Sequence, residues 1–230
     1  MGTAFFAIIV FIEKYVFFLY NRISRNKKTV RTLLMALNNK GSGSIKILDI
    51  TYELNEDTKV YQGDPHFIKE EIFTIDKDGF ALSVIHMGTH LGTHTDAPSH
   101  FIEGGKSLAD IPLSSYIGEC SVTGMDGLKI PAGTKLLLKS AQNCEARLSS
   151  KQATELVQKG VRLVGTDALS IGDDAVHKIL LGSDCIILEH LNLEGVAEGS
   201  YFLYAFPLKI DADGSPVRAC LITGAPQWVD

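Results

Sequence analysis

Three histidines and one aspartate lie within residues 90–100, which read His-Leu-Gly-Thr-His-Thr-Asp-Ala-Pro-Ser-His. Imidazole nitrogens together with a carboxylate suit a borderline divalent cation such as Zn²⁺ or Mn²⁺. In an extended chain, side chains two residues apart share a face, and the three histidines and the aspartate all occupy even positions. The spacing therefore predicts a metal site that contains His90, His94 and Asp96. The two oxygens of its carboxylate would allow Asp96 to bridge two ions.

The last histidine of this stretch, His100, differs from the others because it follows Pro98, which turns the chain. We expect His100 to lie near the metal without binding it, where a general acid or base is needed for hydrolysis. A single histidine on a strand is more often structural than catalytic. The complete pattern, interleaved with Gly-Thr and Pro, rarely arises by accident and favours the metal site.

Two later residues are further candidate ligands. Glu189 ends the apolar run of residues 186–188, and His177 lies early in a predicted helix. Burying an unpaired carboxylate is costly, and a cation would remove that cost. Taken alone, a residue such as Glu189 is more often a strand end that reaches water, and one such as His177 lies more often on a helix surface. The spacing therefore leaves both the ligand interpretation and these interpretations open.

The elements that position these residues predict an α/β fold, with a mixed sheet and two packed helices. The predicted strands cover residues 45–54, 68–75, 81–87, 117–123, 135–139, 161–164, 185–189, 201–210 and 217–222. We expect the strand over 81–87 to run directly into the metal-binding stretch. Residues 76–79, which read Asp-Lys-Asp-Gly, are typical of a hairpin turn.

The two helices are predicted in the second half of the chain. The first covers residues 149–159, where Ser149 and Gln152 have the spacing of a capping box. The second covers residues 175–181 and lies between two apolar strands, so residues 161–189 predict a βαβ unit.

The distribution of charge divides the chain into two parts. The net charge of −5 leaves no basic footprint of the kind that binds nucleic acid. Residues 1–44 carry seven Lys/Arg and one Glu (+6), so residues 45–230 carry 15 basic and 26 acidic residues (−11). We therefore predict an N-terminal leader and linker over 1–44 and a catalytic domain over 45–230.

The four cysteines are widely spaced and predict free thiols in a reducing compartment.

The leader contains an apolar stretch, residues 4–20, which Glu13 and Lys14 interrupt and which basic residues follow. This stretch is marginal for a membrane-spanning helix, because about 20 apolar residues are needed and central charges are costly. The basic flank would keep the catalytic domain in the cytoplasm if the helix inserted. The sequence fits a tether to the inner face of a membrane and a leader without a role in catalysis equally well.

Residues 90–101 match the signature H-x-G-T-H-x-D-A-P-x-H-F of the putative cyclase family, which includes bacterial kynurenine formamidases and isatin hydrolases. The resemblance extends from about residue 45 to residue 222. It implies the swivelling β/α/β fold of that family and assembly as a homodimer or higher homo-oligomer. It also implies that His177 and Glu189, twelve residues apart, complete a site for two ions, with Zn²⁺ expected and Mn²⁺ as the alternative.

The same resemblance implies an activity, which is metal-dependent hydrolysis of a C–N bond in a small amide. The best single substrate is N-formylkynurenine, and a cyclic amide such as isatin or a lactone is the alternative. By this resemblance, an early loop with Tyr61, His66 and Phe67 binds the substrate. A hypothesis of another class is a membrane-tethered metal-binding protein without turnover.

Two features depart from the family pattern. The loop between Asp167 and His177 is short, which would reshape the substrate pocket. His190 follows Glu189 where the family often has Asn or Gly, and we expect its side chain to point outward.

Overall fold

The computed structural model describes residues 45–126, 128, 130, 135–141 and 145–223. Within them lie ten strands: β1 (Lys46–Asp49), β2 (Ile68–Phe73), β3 (Leu82–His86), β4 (His94–Asp96), β5 (Ile117–Gly124), β6 (Lys135–Lys139), β7 (Leu163–Thr166), β8 (Ile186–Glu189), β9 (Gly199–Pro207) and β10 (Gly214–Thr223). The α-helices are α1 (Ile75–Asp78), α2 (Ser150–Gln158) and α3 (Asp174–Leu181). Short 3₁₀ helices cover Pro98–His100, Leu108–Asp110 and Leu113–Tyr116.

Seven of these strands close into a mixed barrel in the order β10-β4-β8-β7-β6-β5-β9, and β9 pairs back with β10. Strands β5 to β8 run parallel, whereas β4, β9 and β10 pair antiparallel with their neighbours. β1 pairs with the second half of β10, beyond the three residues of β10 that pair with β4. The predicted mixed α/β architecture is confirmed. Closure of the sheet into a barrel was not predicted from the sequence.

Successive residues of the parallel strands face two separate cores, because the side chains of a strand alternate between its two faces. Leu137 and Leu188 point into the barrel, whereas Leu136, Leu138 and Ile187 belong to a second core on the outer face. Helices α2 and α3 cover this outer face with the buried side chains of Ala153, Leu156, Val176, Leu180 and Leu181. The second core is therefore the layer in which helix residues meet strand residues.

Both predicted helices form where the sequence places them. Ser149 and Gln152 make the predicted capping box at the start of α2. The Asp173 carboxylate accepts a hydrogen bond from the backbone N–H of Val176 and caps α3, an interaction typically worth about 1 kcal/mol. The predicted βαβ unit is confirmed as β7–α3–β8, whose strands pair parallel.

The hairpin of β2 and β3 forms a separate two-stranded sheet. The expectation that the strand over 81–87 runs into the metal-binding stretch is wrong, because β3 ends at His86 and the stretch forms its own barrel strand. The predicted hairpin turn over 76–79 is confirmed, because these residues connect the antiparallel strands β2 and β3, and Ile75–Asp78 form the single helical turn α1. Its helical form is stabilised by a hydrogen bond from the Thr74 N–H to the Asp78 carboxylate.

Several predictions concern residues outside the described ranges. The domain boundary between residues 44 and 45 stays a prediction, and the apolar stretch 4–20 also lies outside. Within the described ranges, no helix combines the length and the apolar character that a membrane span requires. Cys120, Cys185 and Cys220 are free thiols, as predicted.

Candidate metal centre

Strand β4 directs His94 and Asp96 to the helix-covered face of the barrel. Its pairing with β8 places His94 opposite Glu189 and Asp96 opposite Ile187, which belongs to the core beneath the helices. Opposite residues of an antiparallel pair project to the same side. His94 Nε2 lies 3.3 Å from Asp96 Oδ1 and 3.5 Å from Glu189 Oε2. The structure therefore brings these three predicted ligands together.

His90 lies in a turn before β4 and completes the first group of ligands. Its Nδ1 is 2.9 Å from Asp96 Oδ1. The His90 ring lies against the backbone of Gly214, where an added Cβ would fall 2.5 Å from His90 Cε1. Glycine at position 214 thus permits the close approach that sets the ring beside Asp96.

Helix α3 brings His177 to the same face. His177 Nε2 is 3.1 Å from Glu189 Oε1 and 3.7 Å from Asp96 Oδ2. Glu189 Oε1 also accepts a hydrogen bond of 2.7 Å from the backbone N–H of Ile171. One helix-to-strand connection separates His177 from Glu189, which explains how residues twelve positions apart meet.

Backbone carbonyls orient two of these imidazoles. His94 Nδ1 donates to the Gly92 carbonyl at 2.8 Å, and His177 Nδ1 donates to the Asp173 carbonyl at 2.9 Å. Nε2 of both rings therefore faces the carboxylates without a proton when the ring is neutral. Hydrogen bonds of this kind fix the tautomer and the ring orientation of metal-binding histidines.

The charges in the cluster strongly shift the pKa values of its histidines and carboxylates. Burial alone would lower the pKa of His94, but Asp96 and Glu189 outweigh burial and raise it to about 10. Burial likewise opposes the effect of Glu189 on His177, whose pKa rises to about 9. Burial would raise the pKa of Asp96 and of Glu189, and the two carboxylates repel each other. Hydrogen bonds from the histidines nevertheless hold both pKa values below the ordinary range.

Two groups of ligand atoms in this cluster fit metal ions. One consists of His90, His94 and Asp96, and the other of Asp96, His177 and Glu189; within each group the ligand atoms lie within 4.8 Å of one another. Asp96 Oδ2 is buried and has no hydrogen-bond partner among the described residues. Buried carboxylate oxygens normally have a partner, and a cation would supply one.

His100 lies beside the ligands, with its ring stacked on that of His90 at a centroid distance of 3.9 Å. Burial holds the pKa of His100 below its ordinary value despite the nearby charge of Asp96. His100 Nδ1 is 3.3 Å from Asp213 Oδ2, and the same oxygen is 3.0 Å from His90 Nε2. Asp213 is thus a residue of the site that the sequence did not predict. A turn aspartate 113 residues from His100 gives no local signal of this contact.

Within the described residues, no hydrogen bond, ion pair or ring contact joins Tyr61, His66 or Phe67 of the predicted substrate loop to the cluster. Tyr61 and His66 are exposed, and Phe67 is partly buried. Pro65 of this loop lies 3.4 Å from the position that a Cβ on Gly88 would occupy. The loop therefore passes close to the start of the metal-binding stretch.

The expectation that His190 points outward is wrong. His190 is 9% exposed, and its ring centroid lies 4.6 Å from that of Tyr52. Its backbone has a positive φ of 52°, which turns the chain at the end of β8, and its carbonyl accepts a 2.6 Å hydrogen bond from Thr93 Oγ1. Burial, assisted by the charge of His94, lowers the pKa of His190 to about 4.

Comparisons with known proteins place this chain among related sequences and structures. A family model described as putative cyclase matches residues 48–128. A kynurenine formamidase from Bacillus anthracis is 33% identical over 202 residues, which cover 76% of this chain and 97% of the relative. A predicted metal-dependent hydrolase from Bacillus stearothermophilus superposes with a TM-score of 0.67 at 30% identity, over 78% of this chain and 99% of that one. Isatin hydrolase A from Labrenzia aggregata has a TM-score of 0.67 at 23% identity, over 84% of this chain and 100% of that one.

The fold and the cluster define a mixed α/β barrel that carries the donor atoms of a metal centre on its helix-covered face. The chain belongs to the putative cyclase family. The family resemblance and the fold class predicted from the sequence are thus confirmed, and the roles of the individual residues stay predictions.

Proposed function

We propose that the protein is a metal-dependent amidohydrolase that cleaves the C–N bond of N-formylkynurenine. The reaction consumes one water and yields kynurenine and formate. The kynurenine formamidase from Bacillus anthracis, which aligns over 97% of its length, supports this substrate. The meeting of His177 and Glu189 with the residues of β4 supports hydrolysis at a metal centre.

The observation that carries this proposal is the position of Asp96 between two groups of ligands. We assign His90, His94 and Asp96 to one ion and Asp96, His177 and Glu189 to a second. Imidazole and carboxylate donors suit Zn²⁺, and Mn²⁺ is the alternative. When bound, such ions act as Lewis acids that lower the pKa of water and polarise a carbonyl.

We assign the proton transfers to His100. Its Nδ1 faces Asp213, so Nε2 is the nitrogen available to a substrate, and the side chain is 29% exposed. Neutral His100 accepts a proton from the water that attacks the formyl carbon. It then donates this proton to the nitrogen as the C–N bond breaks, and the amine leaves neutral. The formic acid loses its own proton to solvent. A positioned acid or base of this kind contributes roughly 10²–10⁴-fold to the rate.

We assign recognition of the substrate's aromatic ring to the early loop with Tyr61, His66 and Phe67. The approach of Pro65 to Gly88 supports this assignment, because it holds the loop near the metal-binding stretch. An exposed aromatic side chain offers a large apolar face to a ring. Replacing Tyr61 with Ala should therefore raise KM and leave kcat nearly unchanged.

A substrate screen tests the proposed reaction. Full-length protein loaded with Zn²⁺ or Mn²⁺ is assayed with N-formylkynurenine, a simple aryl formamide, isatin and an aryl lactone. The highest kcat/KM is expected for N-formylkynurenine, and Asp96→Asn should abolish every activity. A preference for isatin or the lactone would reassign the substrate. Full metal occupancy without turnover of any compound would instead favour a metal-binding protein that is not an enzyme.

We also propose that the protein assembles as a homodimer through the β2–β3 hairpin. The hairpin and its connection expose the large apolar side chains of Ile68, Ile72, Phe73, Ile75, Phe80, Leu82, Val84, Ile85 and Met87. Apolar surface of this extent commonly marks an association site, and a two-stranded hairpin is marginally stable alone. Light scattering should report a dimer that Ile85→Glu dissociates and that Lys151→Glu on α2 leaves intact. A monomeric wild type would contradict this assembly.

A further inference from the structure

The carboxylate of Asp213 joins a candidate metal ligand to the candidate proton-transfer residue. Asp213 Oδ2 lies 3.0 Å from His90 Nε2 and 3.3 Å from His100 Nδ1. We propose that Asp213 is a positioning residue that fixes the tautomers of both histidines and thereby supports metal binding and proton transfer together. This inference rests on the proposed function for the role of His100.

The backbone holds Asp213 in place relative to the metal-binding strand. The Asp213 carbonyl accepts a 2.8 Å hydrogen bond from the N–H of Ala97, and Gly214 pairs with Asp96 across β10 and β4. Thr89 Oγ1 donates to Asp213 Oδ1 at 3.1 Å. Oδ1 therefore has its own donor, which leaves Oδ2 to the two imidazoles.

Both imidazoles face the same oxygen, Asp213 Oδ2, but through different ring nitrogens, so the two rings must be opposite tautomers. His90 must carry its proton on Nε2 to donate to Asp213, which leaves the lone pair of Nδ1 toward Asp96 and the first group of ligands. His100 must carry its proton on Nδ1, which leaves the lone pair of Nε2 for the substrate. A carboxylate behind a metal-binding histidine sets its tautomer and raises its basicity. Asp213 would do so for His90 and orient the acid/base with the same atom.

Asp213 itself differs from the residues assigned as ligands. Its side chain is 42% exposed, whereas the side chains of His94, Asp96, His177 and Glu189 are at most 7% exposed. It reaches His90 through Nε2, the ring nitrogen on the side away from Asp96. His90, His100 and Asp213 nevertheless offer atoms close enough for an ion of their own. The test must therefore separate a positioning residue from a third metal site.

The first experiment compares Asp213→Asn with Asp211→Asn, a matched change of an exposed aspartate in the same turn. Zinc affinity of the full-length proteins is measured by competition with a chromophoric chelator, and zinc content by elemental analysis. Asp213→Asn should keep the wild-type zinc content but weaken affinity by about 10–100-fold, the usual effect of removing an outer carboxylate. Asp211→Asn should match the wild type. Loss of one whole zinc ion from Asp213→Asn would make Asp213 a ligand and overturn the proposal.

The second experiment asks whether Asp213 acts through His100. In the zinc-loaded enzyme at saturating metal, Asp213→Asn should lower kcat by about 10-fold or more, with KM within about twofold. In the His100→Ala background the same change should alter kcat by less than about twofold, because residues that act as a unit are not additive. A purely structural contribution would be additive, and additivity would overturn the proposal.

Two further measurements apply if Asp213→Asn does not fold or if no amide is hydrolysed. If Asp213→Asn does not fold, Thr89→Val removes only the hydrogen bond to Asp213 Oδ1 and should shift zinc affinity and kcat in the same direction. If no amide is hydrolysed, the proposed function fails, but nitrogen-15 NMR of the imidazoles in the zinc-loaded protein still reports the tautomers. His100 should be the Nδ1–H tautomer in the wild type and a mixture in Asp213→Asn. The same tautomer mixture in both proteins would refute the positioning role.

Discussion

His94 and Glu189 lie directly opposite each other across the β4–β8 pair, with 3.5 Å between His94 Nε2 and Glu189 Oε2. Their side chains are 4% and 6% exposed. Among the described residues, the ion pairs of Glu189 involve histidines alone. A buried carboxylate in such surroundings depends on protonated histidines or on a cation, because removing every partner from a buried charge is strongly destabilising.

Replacing Glu189 with Gln should therefore weaken one metal ion far more than the other. The variant keeps the shape of the side chain but removes its charge. Glu189 lies with His177 and Asp96 in one group of ligands, whereas His90 belongs to the other. Zinc titrations should show two binding steps in the wild type and in the control Glu194→Gln, an exposed residue beyond β8. Wild-type affinity for both ions in Glu189→Gln would remove Glu189 from the site.

Replacing His100 with Ala should separate proton transfer from metal binding. We expect His100→Ala to keep its metal while kcat falls by roughly 10²–10⁴-fold, the usual range for a general acid or base. His94→Ala should lose metal, because its Nε2 faces both Asp96 and Glu189. Metal analysis and steady-state kinetics of the two variants make the comparison. Equal metal loss in both would reassign His100 as a ligand.

The parts of the site that the sequence predicted are those coded by local spacing. His94 and Asp96 share a face because they are two residues apart on one strand. The capping box of Ser149 and Gln152 was predictable for the same reason, since all of its atoms lie within one helical turn.

The parts that were missed depend on contacts between distant residues. Asp213 meets His90 across 123 residues of sequence, and only the pairing of β10 with β4 brings them together. Closure of the barrel depends on the pairing of β5 with β9, which no local pattern encodes. The outward direction expected of His190 is wrong because the chain turns there with a positive φ of 52°. The turn is held by the hydrogen bond from Thr93 Oγ1 to the His190 carbonyl, which joins residues 97 positions apart in the sequence.

Deleting residues 1–40 should leave folding and turnover of a soluble amide unchanged. The candidate ligands and His100 all lie beyond residue 45, and both sheets are built from residues 46–223. Thermal melts and kcat/KM of the truncated and full-length proteins test this expectation, with equal metal loading in both. Failure of the truncated chain to fold would place the domain boundary upstream of residue 45.

Metal removal should make the fold more sensitive to alkaline pH, because protons on the histidines then balance the carboxylates. His94 and His177 have pKa values raised from 6.5 to about 10 and about 9. A histidine with a raised pKa contributes stability that is complete below pH 6.5 and is lost as the pH rises through the folded pKa. The lowered pKa values of Asp96 and Glu189 act in the opposite sense, and their contribution is lost only in acid.

The stabilisation from these pairs in the metal-free protein should thus decline from pH 6.5 to about pH 9 for His177 and to about pH 10 for His94. Bound zinc favours neutral histidines and replaces the protons. Thermal melts across this range, with zinc or with a chelator, should show a gap in Tm that widens as the pH rises. His86→Ala, which removes an exposed histidine of β3, should reproduce the wild-type gap. In the presence of the chelator, His177→Ala should make Tm depend less on pH, since one of the titrating groups is gone. A gap that narrows toward alkaline pH would mean that protons on His94 and His177 do not support the metal-free fold.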